Sequence, residues 1–421
     1  MHKTGKGASV FQTSRKNLTH AELLTLFLIL SPFFDVFNGW LMMNGKAGNV
    51  SASYKIVVLD YIFMIIKNRM NKKLLVFILL LAFGAAAQRL LFSMDTAFNV
   101  NDYIKLLFPL FLLFVLKELR ETERICCIHS VLDFYSWFYP ASILIPTVLG
   151  IGFHTYGTDN FGFKGFYYAG NELAGVMLIV LAYTIQSYLN GYTHKNLIRM
   201  LLMAFTSMII GMKSLYIGTA VLAVIYIAQL LKRKKTVLWF IPAVVAAVAI
   251  LAFIVNSDFM KEFIRVQKVR FTYRISGKYE NEFLAFMLSG RNDTVIKSFK
   301  GLWKYGGING VLWGIGIDKI TAVAGKITEM DFFDLFLWNG LFVAVGYFYL
   351  LWTELLKDWR RIGHFEQIGI LLMIAFSFLA GHVFYAPSVM IPFVLVCMDY
   401  KFDNISEYIV EENGSYRSNL R

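Results

Sequence analysis

The sequence predicts an all-α polytopic membrane protein of about twelve transmembrane helices, with a long outer loop between the ninth and the tenth. Composition is the first reason. Of 421 residues, 57% are hydrophobic and 16% charged, and mean hydropathy is +0.56, which excludes an ordinary soluble globular domain. The second is a succession of apolar runs near the length that crosses hydrocarbon as a helix, about 20 residues, or fewer where neighbours shield the segment. The third is that Lys and Arg concentrate in alternate short connections, the bias that orients membrane proteins.

Taken in order, the runs are 22–40, 56–67, 74–92, 103–116, 129–150, 171–189, 197–212, 215–231, 236–255, 332–356, 367–383 and 388–398. The second, fourth and last are short. The first follows a basic N-terminus (Lys3, Lys6, Arg15, Lys16) without a small-residue cleavage site after it, so it reads as an uncleaved span. One side of the membrane receives Lys67/Arg69/Lys72/Lys73, Lys117/Arg120/Arg124, Lys195/Arg199, the run 232–235, Lys357/Arg360/Arg361 and Lys401. The short connections of the other side hold only Lys46, Lys55, Lys164 and Lys213. Both termini are therefore expected on the cytoplasmic face. The chain divides into a membrane part (1–255), an extracytoplasmic loop (256–331), a second membrane part (332–399) and a cytoplasmic tail (400–421). The formal charge of +13 is explained by orientation and anionic lipid rather than by nucleic acid.

The loop carries the chemistry. Residues 256–328 hold twelve Lys or Arg against six Asp or Glu, a positive excess outside that runs against the usual bias. Arg265, Arg270, Arg274 and Arg291 stand among several lysines. Arg presents a planar fork that grips phosphate oxygens in pairs and stays charged at any relevant pH, so the loop is read as holding a lipid diphosphate; contact with anionic headgroups is the alternative for any one of these residues. Glu329, Asp331 and Asp334 follow where the loop meets the tenth span, a position at which ionisable side chains are usually functional. A carboxylate there can accept the proton of an attacking hydroxyl. Asp331 can instead cap the tenth helix, whose N-terminus favours negative charge.

Other polar groups share the outer side. Asp35 and Asn38 lie three apart on one face of the first span, Arg89 closes the third, and Asp102 with Lys105 opens the fourth, where the two can also simply neutralise each other. Lys164 and Asn171 flank a glycine-rich segment, and Lys213 sits in the turn Gly211-Met212-Lys213-Ser214. Together they suggest a hydrated cavity open to the outside. His382 can donate to a phosphate or take a proton, or it can pack. Cys126, Cys127 and Cys397 match no metal-ligand spacing, and no metal or cofactor motif occurs.

The order of these features resembles the O-antigen polymerase and ligase superfamily: Phe163-Lys164-Gly165-Phe166 with Asn171 before the sixth span, Met212-Lys213-Ser214, Ser289-Gly290-Arg291, Gly314-Ile315-Gly316, then Glu329-x-Asp331 with Gly340 downstream. The resemblance implies a membrane fold similar to GT-C type glycosyltransferases and a glycan donor linked to undecaprenyl diphosphate. It also implies transfer outside the bacterial cytoplasmic membrane without a cofactor. The partners it implies are membrane lipids, with a chain-length regulator and a flippase of polysaccharide assembly. Carried over, Arg291 resembles the loop arginine that holds the donor diphosphate, while Lys164 and Lys213 stand where many members have Arg. Ligases that act on lipid A core have His and, two residues on, Asn where this chain has Glu329 and Asp331; the Glu-x-Asp form is similar to Wzy-type polymerases of capsule, exopolysaccharide or O-antigen. A ligase acting on a lipid, teichoic or protein acceptor, a flippase and a non-catalytic diphosphate-binding scaffold are the alternatives. A flippase predicts charge spread through the membrane midplane, whereas here it crowds one face.

Overall fold

The computed structural model describes residues 18–92, 100–123, 128–156, 161–231, 288–379 and 383–399, with 261, 265, 269, 272 and 381. The ninth expected run and both chain ends lie outside the described residues. The N-terminal half comprises α1 (His20–Met43), α2 (Val50–Ile66), α3 (Lys72–Phe92), α4 (Val100–Glu123), α5 (Ile128–Leu149), a short hairpin of β1 (His154–Tyr156) and β2 (Phe161–Phe163), α6 (Gly170–Gly191), α7 (His194–Ile210) and α8 (Lys213–Leu231). After the mostly undescribed stretch come α9 (Arg291–Trp313), α10 (Ile317–Ala324), α11 (Asp331–Leu351) with a π turn at Trp352–Leu356, α12 (His364–Leu379) and α13 (Pro387–Met398).

Among the described residues, five segments are long and apolar enough to cross a membrane, namely α1, α3, α6, α8 and α11 with its π turn. Their roles in the bundle differ. Every residue of α6 from Leu173 to Ile185 is buried, and so is all of α13. Helices apolar on every side belong in a core, and α6 packs against α5, α7, α8, α12 and α13. By contrast, α1, α3 and α8 leave large apolar side chains such as Phe37, Phe83 and Val224 exposed, as surfaces that meet lipid do.

Local signals explain several boundaries. α1 begins in a capping box: the Thr19 hydroxyl accepts from the Glu22 amide, and Glu22 returns a bond to the Thr19 amide. α13 begins at Pro387, where the missing N–H costs nothing. α2 begins at Val50, ahead of its apolar run, because the polar turn that precedes the run still packs on α1. Lys55, expected in a connection, is therefore inside the helix and pairs with Asp35 at 2.7 Å. The loop expected over 256–331 also changes character, since α9 and α10 fill its second half and α9 packs on α3 and α11.

Both α9 and α11 are broken, at glycine rather than at proline. Gly340 has φ 79° and ψ 177° within α11; a β-carbon on it would stand 2.3 Å from the Leu312 carbonyl oxygen. The end of α9 thus pushes into the break in α11. Ile315 and Gly316 donate backbone bonds to the carbonyls of Leu337 and Trp338, and Gln88 of α3, itself buried, donates from Nε2 to the carbonyls of Trp313 and Trp338 at 2.5 and 2.7 Å. Gln88→Leu should lower stability by about 1–3 kcal/mol, since a buried acceptor loses its donor, visible as a lower apparent Tm of the detergent-solubilised protein.

At the far end of α11, Glu354 accepts from Lys73 of α3 at 2.6 Å and pairs with Lys117 of α4. Two of the lysines that mark the basic side are thus also internal fasteners. Helix α3 runs antiparallel to α11, from Lys73 beside Glu354 to Gln88 beside Trp338. That separates the basic end from the Asp331 end by the length of a 21-residue helix, about 30 Å.

Candidate functional site

The segment before α11 is built to hold one residue in an unusual conformation. Glu329 has φ 56°, a left-handed region that a glutamate seldom occupies without compensation from its surroundings. Three contacts over-determine it. The Asp334 carboxylate accepts from the Met330 amide at 3.0 Å and from the Thr328 hydroxyl. Asp331 accepts from the amides of Val383 and Phe384 at 2.7 and 2.8 Å, fixing the start of α11 to the turn after α12. Gly381 lies so close that a β-carbon there would be 2.0 Å from the Glu329 carbonyl oxygen. Asp331 and Asp334 are each 1% exposed, and these bonds turn their carboxylates to backbone and Thr328. Glu329 keeps a side chain that is 39% exposed.

Arg291 meets it. The turn Ser289-Gly290 is left-handed at both residues and delivers Arg291 as the first residue of α9. One guanidinium nitrogen lies 2.6 Å from Glu329 Oε2, another donates to the Leu379 carbonyl at 3.4 Å, and Nε is buried without a hydrogen-bond partner. A cation at a helix N-terminus opposes the helix dipole. Stability alone would not choose it. Gly290 gives α9 no side-chain cap, and Glu329 is the anion that meets Arg291 here.

Asn171 and the Lys213 turn converge on the same region. A narrow cleft is lined by Asn171, Gly175, Ser214, Phe376, Gly381 and Val383, so the start of α6, the start of α8 and the turn that braces Glu329 are neighbours. Lys164 is held within its own loop: it donates to the Tyr168 carbonyl at 2.6 Å and lies over the Phe153 and Tyr168 rings. Burial lowers its ammonium pKa below the ordinary lysine value. Asp35 is drawn to Ser51 and Lys55. Arg265 is described only as an isolated residue, and Arg270, Arg274 and His382 lie outside the described residues.

A cavity of about 430 Å³ opens beside this region, between α1, α2, α4, α6 and the segment before α13. Asp35, Asp102, Lys105 and Glu172 line it, as do Trp338 and Tyr385. Gly381, Trp338 and Tyr385 have no motif of their own in the sequence. The one available signal was position, since Tyr385 falls in the short break between the runs 367–383 and 388–398, whereas Gly381 lies inside the first of them. Among the described residues, no cluster of His, Cys, Asp and Glu is disposed to hold a metal ion.

Comparison with protein-family models matches residues 16–276 to the family described as O-antigen ligase like membrane protein. The match spans α1 to α8, including Lys164, Asn171 and Lys213, and ends before Arg291 and Glu329. Searches of curated proteins and of solved structures each returned no match.

Proposed function

The chain belongs to the family of O-antigen ligase like membrane proteins, and from that premise we propose that it is a polysaccharide polymerase using glycan carried on undecaprenyl diphosphate. Family membership makes it an integral membrane protein that handles lipid-linked glycan. The observation that supports the finer reading is the pairing of Arg291 with Glu329, an arginine fork and a conformationally constrained carboxylate in one ion pair. In this reading the donor diphosphate binds Arg291 and displaces Glu329 from it. The freed carboxylate takes the proton of a sugar hydroxyl on a second lipid-linked repeat unit as that oxygen bonds to the anomeric carbon. The bond to the diphosphate breaks with its electron pair leaving on phosphate, and the anomeric configuration inverts. Arg291 neutralises charge on the leaving group, the kind of stabilisation that grows toward the transition state.

Lys213, Arg265, Arg270, Arg274 and Lys164 are assigned supporting contacts with the diphosphate. Asn171 and His382 are assigned to the acceptor side with Asp35. Asp331 and Asp334 act through the backbone that holds Glu329. We further place the protein in the bacterial cytoplasmic membrane with twelve spans, a GT-C-like arrangement, both termini inside, and the 256–331 loop outside between membrane parts 1–255 and 332–399. The family description itself favours a second reading, a ligase that delivers glycan to another acceptor.

Purified protein given a synthetic undecaprenyl-diphosphate repeat unit separates the two. A ladder of longer glycans is the result expected of a polymerase. Consumption of the repeat unit only after a lipid or teichoic acceptor is added would make it a ligase, and no turnover in either mixture would remove the enzyme reading. In the same assay Gly381→Ala should lose about 10²-fold in rate, because its β-carbon must displace Glu329 and small misplacements of reacting groups carry penalties of that order. A rate unchanged in Gly381→Ala would show that the constrained position of Glu329 is immaterial.

A further inference from the structure

We infer that the exposed face of α9 is a docking surface for anionic phospholipid, with Ile296, Phe299 and Trp303 among the upper acyl chains and Lys297, Lys300 and Lys304 on the phosphates above them. The six side chains share one side of the helix. At about 100° per residue they follow one another around the axis in the order Phe299, Trp303, Ile296, Lys300, Lys304, Lys297, an arc of about 160° with an apolar and a basic half. Ile296 is 46%, Phe299 37% and Trp303 67% exposed, and all three lysines are exposed. The opposite side is taken up inside the protein, where Thr294, Ser298, Gly301 and Leu302 are buried and α9 packs on α3, α10 and α11.

Charge selects the occupant. Asp293 is the one acidic residue of α9, set in its first turn, where it accepts from Asn292 at 2.8 Å; beyond it the helix carries only positive charge. That suits an anionic surface, to which each basic side chain adds attraction. Rings such as Trp303 favour the headgroup level, and lysine stems lie along apolar surface while their ammonium groups reach outward. A helix of this kind lies in the interface instead of crossing it, and α9 is not among the segments apolar enough to cross. Its position agrees. Phe299 stacks on Phe336 and meets Phe333 edge-on, early in the spanning helix α11, so the face stands at the membrane boundary rather than at its middle. Farther along, Trp313 packs on Phe83 of α3 and Phe342 of α11, both exposed, which joins α9 to surface of the kind that meets lipid. Arg291 opens the same helix, so the lipid seat also sets the height of its pairing with Glu329.

The test reads Trp303 alone, as the difference in tryptophan emission between wild type and Trp303→Phe, with the full chain in phosphatidylcholine nanodiscs. Phosphatidylglycerol or phosphatidylcholine, brominated on the acyl chains close to the headgroup, is added in small fraction as quencher, and iodide serves as the aqueous quencher. No glycan is present, so the outcome does not depend on the reaction assigned to Arg291 and Glu329. Both brominated lipids should quench Trp303 and iodide should not. At equal fraction the brominated phosphatidylglycerol should be more effective by about fivefold or more, the local enrichment that a single basic side chain at such a surface supplies. In Lys297→Gln/Lys300→Gln/Lys304→Gln the lipid quenching should persist, which shows the helix still in place, and the preference for phosphatidylglycerol should disappear. Quenching by iodide and by neither lipid would put this face in water. That result, equal quenching of the wild type by the two lipids, or a preference kept by the triple variant would each overturn the inference.

Discussion

Arg291→Ala should reduce glycan transfer by about 10²–10³-fold, the loss seen when one preorganised donor to developing negative charge is removed. The effect should fall on donor affinity as well as on rate, because Arg291 is proposed to hold the diphosphate before and during departure. It should be large because Arg291 is 13% exposed with Nε buried and unpartnered, so an incoming phosphate would meet a guanidinium that water competes for weakly. Arg291→Lys should recover part of the loss. The charge returns without the planar fork that engages two oxygens at once. Kinetics with the synthetic donor measure both, and an alanine variant with full activity would remove Arg291 from the site.

Glu329→Gln should leave the donor bound and remove the chemistry. Loss of a general base lowers rate by about 10²–10⁴-fold, and glutamine keeps the size and much of the hydrogen bonding of the residue it replaces. The structure adds a sign that motif reasoning alone does not. Glu329 and Arg291 neutralise each other in the free protein at 2.6 Å, so the neutral variant competes less for the guanidinium and should bind donor at least as tightly as the wild type. A purely structural ion pair predicts the reverse: weaker binding, lower Tm, and bound donor that still turns over.

How far these elements could be read from sequence depended on range. Apolar runs gave α1, α3, α6, α8 and α11 close to their observed limits, because span length is set by a solvent boundary rather than by partners. The start of α2 was missed since Lys55 reads as a connection residue until Asp35 is known to face it. The break of α11 at Gly340 has no local announcement, because α9 presses into it, a contact between distant segments. Arg291 and Glu329 were identified separately by motif order. Their meeting depends on a left-handed turn on each side, and no local signal announces a left-handed glutamate. Asp331 and Asp334 illustrate the limit most clearly. Their position at a helix start fitted both catalysis and capping, and it takes the amides of Val383, Phe384 and Met330 and the Thr328 hydroxyl to reveal where those carboxylates point. The hairpin of β1 and β2, three residues per strand, is too short for any alternation pattern to register.

Donor binding and single-turnover transfer, measured separately on wild type and Glu329→Gln with a fluorescent undecaprenyl-diphosphate repeat unit, bear most directly on the pairing of the two residues. The expected result is equal or tighter binding by Glu329→Gln with turnover of the bound donor reduced by at least about 10²-fold. Weakened binding with unchanged turnover of whatever donor remains bound would contradict it, leaving Glu329 as a fastener for Arg291 and not a base.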